Sequence, residues 1–395
     1  MLLPGAEGNE MLKVVIPKEI VPNEKRVAAT PETIKKMMAK GLQVVVGVSA
    51  GEGSYISNAD YEKAGATVEK DVKALLENAD IVLKVQELTR DEVGLLKEGA
   101  VVLSFFQPLS HSDLVQRLNT KKISAFSMEL IPRITRAQTM DVLSSMATVA
   151  GYKSILLAAN ASPKLFPLLM TAAGTIRPAK VFVIGAGVAG LQAIAIARRL
   201  GAVVRAFDTR PVVQEQVKSL GAEFVSLGIE IKQEEAQDKG GYAKELSADV
   251  HKKEQDLIRR EVTQADVVVT TALIPGKKAP LLITRDMVEG MQPGSVIVDL
   301  AAPQEGNCEL TEPGKELIYK GIIILGYLNL PSLMPVPASQ MYSRNILAFL
   351  NLLSPDGKSI QLNLADEIIK GSLVTHQGEI VHPSIREALQ KGGPN

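Results

Sequence analysis

Two runs of residues have types and spacings suited to chemistry. The first, Gly185-Ala186-Gly187-Val188-Ala189-Gly190, follows the apolar run Lys180–Ile184 and opens a helical stretch, Leu191–Leu200, that stops at Gly201. Gly185 permits a tight turn, Gly187 lets backbone approach a pyrophosphate, and Gly190 lets helix and strand pack closely. The helix start adds unpaired N–H groups and a positive dipole end. Asp208 stands at the end of the next predicted strand, 18 residues after Gly190, where a carboxylate accepts hydrogen bonds from both hydroxyls of an adenosine ribose and repels a 2′-phosphate. NAD(H) is therefore expected in preference to NADP(H). Arg205 and Arg210 flank Asp208 and read as solvated charges, the alternative being a grip on a phosphate.

The second run is Pro132-Arg133-Ile134-Thr135-Arg136-Ala137-Gln138-Thr139-Met140-Asp141-Val142-Leu143-Ser144. Gln138 offers a donor and an acceptor to a carboxamide such as that of nicotinamide. Asp141 accepts a hydrogen bond, and Arg133 bridges ring-side oxygens or fixes the carboxylate. The same spacing equally fits Asp141 and Ser144 as helix caps with the arginines solvated.

Apolar, β-rich runs alternate with helical segments through most of the chain, which predicts an α/β protein of two Rossmann-like, doubly wound parallel-sheet domains with a cleft between them. Strands are expected at Leu12–Ile16, Gln43–Val48, Ile81–Val85, Val101–Phe105 and Ile123–Ser127, with a helix started by Thr30-Pro31-Glu32 and stopped at Gly41. A long connector helix is expected from Thr139 to about Asn160. A second series of strands follows at Lys180–Ile184, Val203–Phe207, Glu223–Ser226, Asp266–Thr270, Ser295–Asp299 and Ile322–Leu325. The proline-rich stretch near Pro331–Pro337 precedes a predicted helix, Met341–Leu353. The hairpin-like tail, Leu373–Thr375 and Glu379–Val381, is too small to stand alone and is expected to complete the first domain. The domains are thus residues 1–138 with 335–395, and residues 139–334. About 40 residues separate Ser226 from Asp266, more than a crossover helix requires. Lys239–Glu245 reads as a lid hinged at Gly240-Gly241 within a mobile loop of about 230–248, with Val250–Val262 as the crossover helix; a plain surface loop is the alternative.

Composition excludes several other classes. With 44 Lys+Arg against 44 Asp+Glu in 395 residues, no broad field attracts nucleic acid or anionic lipid. Cys308, the single cysteine, forms no internal disulfide, which fits a reducing cytosol, and the four histidines lack metal-ligand spacing. The most apolar window, Val181–Leu200, carries three glycines and ends in Arg198-Arg199, so no membrane insertion is expected. Met1–Glu10 lacks the features of a signal peptide and reads as a frayed extension.

Several runs together closely resemble the NAD(H)-binding component (domain I, alpha subunit) of proton-translocating nicotinamide nucleotide transhydrogenases. They are Met128–Asp141, Thr171–Thr175, Gly185–Leu191, Gly240–Glu245, Thr270–Gly276 and Pro293–Leu300. The resemblance extends from Met11 to the C-terminus. It implies that Arg133, Gln138, Asp141 and Ser144 line the nicotinamide site, that Val188, Asp208, Thr209 and Arg210 hold the adenosine half, and that Leu273 and the loop residues Gly241 and Tyr242 meet the nucleotide. It further implies direct hydride transfer to NADP(H) on a beta subunit, proton movement through a separate membrane-spanning subunit, a homodimer, and a peripheral place on the cytoplasmic face of the inner membrane, as in the split-subunit bacterial form.

Alanine dehydrogenase shares this architecture. Arg26 and Lys84 stand where that family binds its amino or keto acid, yet its catalytic histidine and aspartate are replaced by Gln107 and Pro303. Oxidising an amine requires a titratable group to take a proton, whereas hydride exchange between two nicotinamide rings does not. Arg26 and Lys84 are accordingly read as structural ion pairs. His111 is the one nearby residue that would restore a dehydrogenase reading, and a non-catalytic NAD(H)-sensing module is a further alternative.

Overall fold

The structure, a computed structural model, describes residues 11–228, 248–273 and 278–390. They form two compact units, one within Met1–Met146 and Ser332–Asn395, the other within Ala147–Pro331. The breaks thus fall eight residues after, and three residues before, the boundaries read from the sequence.

The first unit is built on an eight-stranded sheet. Its strands are β1 (Lys13–Ile16), β2 (Gln43–Gly47), β3 (Thr67–Glu69), β4 (Ile81–Leu83), β5 (Val101–Ser104) and β6 (Ser124–Ser127), all parallel, in the order β6-β5-β4-β1-β2-β3. β4, β5 and β6 are buried along their whole length, as strands covered on both faces must be. Helix α1 (Pro31–Ala39) begins with proline at its first position after Thr30, whose hydroxyl takes part in a capping box.

The second unit carries a small hairpin, β7 (Leu169–Thr171) and β8 (Gly174–Ile176), and a seven-stranded sheet. The sheet strands are β9 (Lys180–Ile184), β10 (Val203–Phe207), β11 (Glu223–Phe224), β12 (Val267–Thr270), β13 (Val296–Asp299), β14 (Glu316–Tyr319) and β15 (Ile322–Leu325). Their order is β11-β10-β9-β12-β13-β15-β14, parallel except for the edge strand β14. The chain runs outward from β9 to β11, then crosses back to β12 on the other side of β9. The carboxyl ends of β9 and β12 therefore form the topological switch point at which such sheets bind ligands.

The tail returns to the first unit. β16 (Leu373–His376) runs antiparallel to β6 and β17 (Glu379–Ile380) antiparallel to β16. Thr375 Oγ1 donates to Ile123 O (2.9 Å), and His376 Nδ1 lies 2.9 Å from Ser124 Oγ.

Helix bounds differ from expectation in three places. The connector is a 3-10 helix, Thr135–Met140, followed by α2 (Val142–Ala161), because Asp141 (φ −73°, ψ 89°) leaves the helical region between them. α3 (Val188–Arg199) starts at Val188 with Gly187 as its cap, three residues before the expected start. Beyond α4 (Ala248–Gln264), helix α5 (Pro335–Leu353) begins six residues before the expected Met341. Pro335 and Pro337 lie in its first turn, where the missing N–H groups have no helical acceptor, so the proline-rich stretch is helix rather than loop. Among the described residues it is α2, rather than the Val181–Leu200 window, that is long and apolar enough to cross a membrane by length and composition.

At Gly151 of α2, any Cβ would overlap the backbone carbonyl of Ala189 on α3. Gly151→Ala would gain about 1 kcal/mol of helix propensity, but no rotamer relieves a clash with backbone. The expected outcome is a net loss of roughly 1–3 kcal/mol, read as a lower urea midpoint; a midpoint at or above that of the parent would contradict the close packing.

Candidate functional site

The turn after β9 divides the work of its three glycines. Gly185 sits at φ +93°, its N–H donates to Phe207 O (2.8 Å), and a Cβ there would overlap Thr271 Oγ1. A Cβ on Gly190 would overlap the carbonyl of Gly185. Gly187 faces open space, with only Arg210 Nη2, at 3.8 Å, within 4 Å of where a Cβ would be. Backbone at Gly187 is thus free to meet a ligand at the N-terminus of the 12-residue helix α3, an arrangement that fits a diphosphate. Val188, the first residue of α3, is 40% exposed beside it.

Asp208 is buried and ties this turn to the end of β10. Its Oδ2 accepts from Ala186 N (2.7 Å) and Arg210 Nη2 (2.7 Å), and its Oδ1 from Arg210 N (2.8 Å) and Nε (2.9 Å). Arg210 is therefore not a solvated charge, and the carboxylate hydrogen-bonded to it raises the guanidinium pKa. Arg205 is likewise paired, with Glu261 and with Glu223 (2.7 Å). Neither arginine is left to bind a phosphate by itself. Thr209 Oγ1 is buried with no hydrogen-bond partner among the described residues. Glu254 of α4 was not foreseen. It is buried, 3.2 Å from His251 Nδ1, and its pKa is raised, chiefly by burial and further by the charge of Asp208. Leu273 follows the Thr271–Ala272 segment fastened to the glycine turn. Gly241, Tyr242 and the whole of the expected lid, Lys239–Glu245, lie outside the described residues.

In the first unit, Arg133, Gln138, Asp141 and Ser144 share one short segment. Arg133 and Gln138 are exposed. Asp141 caps α2: its Oδ1 accepts from Ser144 N (2.9 Å) and its Oδ2 from Ser144 Oγ (2.6 Å). Each oxygen keeps a lone pair, so capping and ligand binding are compatible. Arg136, solvated in one of the two readings of this segment, forks onto Asp366 (2.7 and 2.8 Å), and Asn345 Nδ2 of α5 donates to Thr139 O (2.7 Å). The returning tail thus holds the segment at two points.

Arg26 and Lys84 are ion-paired internally. Arg26 Nε and Nη2 donate to Glu24 (2.8 and 2.5 Å), and Gln86 Nε2 donates to the same carboxylate (2.7 Å). Lys84, fully buried, donates to Glu92 (2.9 and 3.0 Å) and lies 4.0 Å from Glu19. Burial acts to raise the Glu24 pKa, but the Arg26 hydrogen bonds and charge outweigh it and hold the carboxyl at about 2. Burial pushes Glu19 up to about 7 against the pull of Lys84. Gln107, at φ +42°, donates its N–H to Glu129 Oε1 (2.5 Å), and His111 Nδ1 lies 3.1 Å from Phe106 O. Pro303 lies in a 3-10 turn, Ala302–Gln304, of the second unit. Neither Gln107 nor Pro303 titrates. Among the described residues, no three His, Cys, Asp or Glu are grouped to hold a metal ion.

A family model described as the N-terminal domain of alanine dehydrogenase/PNT matches residues 15–150, and the corresponding C-terminal domain model matches residues 154–383. The chain belongs to the alanine dehydrogenase/PNT family. Within this family it is 46% identical over 380 residues to the first portion of the NAD(P) transhydrogenase alpha subunit of Rhodospirillum rubrum, spanning 95% of this chain and 99% of that one. It is 30% identical over 385 residues to alanine dehydrogenase of Halomonas elongata, spanning 96% and 97%. A solved structure of transhydrogenase from Sinorhizobium meliloti superposes with a TM-score of 0.82 at 42% identity, over 94% of this chain and 99% of that one.

The raised Glu19 pKa carries a pH signature. An ordinary glutamate titrates at 4.5, so between that value and about 7 the folded chain holds a proton the unfolded chain has lost. Stability contributed by Glu19 therefore falls as pH rises through this window. Glu19→Gln is expected to gain stability relative to the parent between about pH 5 and about pH 8, by at most about 3 kcal/mol. Urea midpoints at the two pH values measure it, and a difference that does not change with pH would count against a proton on Glu19.

Proposed function

We propose that the chain is the NAD(H)-binding subunit of a proton-translocating NAD(P) transhydrogenase. The observation that carries this reading is the combination of an open glycine turn braced by Asp208 with strand ends at which Gln107 and Pro303 offer no acid or base. Gly187 and the start of α3 hold the diphosphate, Asp208 holds the adenosine ribose in exchange for its bonds to the Arg210 side chain, which occupy those acceptor positions in this structure, and Val188, Thr209, Arg210 and Leu273 hold the surrounding adenosine half. Gln138 hydrogen-bonds the carboxamide with a donor and an acceptor, while Arg133, Asp141 and Ser144 hold the neighbouring polar groups. NADH, when bound, supplies the hydride. No proton leaves a substrate in exchange between two nicotinamide rings, so the chain's role is binding and orientation. NADP+ is held by a beta subunit and proton movement belongs to a membrane-spanning subunit. The protein acts as a homodimer, peripheral to the cytoplasmic face of the inner membrane.

Hydride transfer from NADH to an NADP+ analogue, measured with and without the purified NADP(H)-binding partner, tests the reading. Transfer is expected only with the partner. Oxidation of NADH by pyruvate and ammonia would instead mark an amino-acid dehydrogenase, and NADH binding with neither activity a sensing module. With the partner present, Gln138→Ala is expected to slow transfer by roughly 10- to 100-fold while NADH affinity changes little, the pattern of a contact used for orientation; equal rates would remove Gln138 from the site. Asp208→Asn is expected to weaken NADH binding about tenfold, as loss of a charged hydrogen-bond acceptor does, and to relax discrimination against NADPH. An unchanged preference in a fluorescence titration would refute the ribose assignment.

A further inference from the structure

Asn307 is fully buried and uses every polar group it has. Its backbone N–H donates to Asp299 Oδ2 (2.8 Å), and its carbonyl accepts from Leu282 N (2.8 Å) and Ile283 N (2.9 Å). Its side-chain Oδ1 accepts from Ala272 N (3.1 Å), while Nδ2 donates to Ala272 O (2.9 Å) and Pro280 O (2.9 Å). Only a carboxamide presents an acceptor on one side and two donors on the other at this size. An aspartate here would set oxygen against two carbonyl oxygens.

The residue before Ala272 completes the connection. Thr271 donates its N–H to Ile184 O (2.9 Å) and its hydroxyl to Gly185 O (3.0 Å). At the other end, the fully buried Asp299 also accepts from Thr270 Oγ1 (2.9 Å), Ala301 N (3.0 Å), Cys308 N (3.0 Å) and Thr311 Oγ1 (2.6 Å). A line of hydrogen bonds thus crosses the carboxyl ends of the neighbouring strands β13, β12 and β9, from Asp299 through Asn307, Ala272 and Thr271 to the glycine turn.

We infer that Asn307 is a positioning residue of the coenzyme site, fixing the Gly185 turn through Ala272 and Thr271. This rests on the reading that the turn binds NAD(H). Without the carboxamide, three partly buried backbone groups, Ala272 N–H, Ala272 C=O and Pro280 C=O, lose their partner. Groups shielded from water on one side and left without a partner favour a shift of the segment or the entry of water. Either change moves Thr271 relative to Gly185, and a site that grips a diphosphate through backbone N–H groups depends on their placement.

The test is titration of the full chain with NADH, reading affinity and the number of sites per chain separately, alongside thermal melts. Asn307→Ala is expected to raise the dissociation constant at least tenfold with the number of sites unchanged. Thr271→Val, which removes only the hydroxyl at the last link, is expected to raise it by a smaller factor and serves if Asn307→Ala does not fold. Ser295→Ala is the control for lost stability alone: it deletes a buried bond to Ala265 O (3.3 Å) at the opposite end of β13 and is expected to lower the melting temperature without altering affinity. Wild-type affinity in Asn307→Ala or Thr271→Val, or a loss confined to the number of sites, would overturn the inference. Failure of the unmodified chain to bind NADH would overturn the coenzyme reading instead.

Discussion

The approach of α3 to the end of β9 governs the second unit. With the carbonyl of Gly185 lying where a side chain on Gly190 would begin, helix and strand meet closer than any residue but glycine permits. That contact sets the direction of α3, and hence where its unpaired N–H groups point. It also brings Gly185 against Thr271, so the two strands flanking the switch point are locked to the same turn. Asp208 is drawn in from β10 by the N–H of Ala186. The grip on an anion and the packing of the sheet are thus one constraint.

Both sheets meet a common electrostatic demand in the same way. Parallel strands end in backbone N–H groups with no ladder partner, and buried groups of that kind must be satisfied. Carboxylates do this repeatedly. Glu19 accepts from Val85 N, Glu129 from Phe106 and Gln107 N, Asp208 from Ala186 and Arg210 N, and Asp299 from Ala301, Asn307 and Cys308 N. The acids nearest the strand ends of the first unit are therefore structural. The basic residues Arg26 and Lys84 are consumed in balancing two of their neighbours, Glu24 and Glu92, and neither is left to draw in a substrate anion.

What the sequence made legible follows from the range of the interactions involved. The fingerprint Gly185–Gly190, its strand and Asp208 lie within 30 residues, and the local rules of turn, cap and period suffice to read them. The central strands β9, β10 and β15 match their expected bounds, because buried parallel strands are continuous apolar runs. The edge strand β14 and the short β3 escaped, being partly polar and defined by pairing rather than composition. The partners of Arg136, Arg205 and Thr139 escaped for another reason: Asp366, Glu261 and Asn345 are 230, 56 and 206 residues away, and no spacing rule reaches them. Asp141 lay between, since capping and ligand binding ask for the same residue at the same place.

The pairing of β16 with β6 sets an order of events during synthesis. The second unit is a continuous stretch inserted between β6 and its antiparallel neighbour, so it is wholly outside the ribosome and free to fold before the strand that closes the first sheet has been made. Until then the β6 edge of the nascent chain carries unpaired backbone groups, the kind of surface on which strands of other molecules add. Ser124 and His376 stand 252 positions apart, which makes this the most non-local strand pairing among the described residues, and loop-closure entropy makes it a slow one.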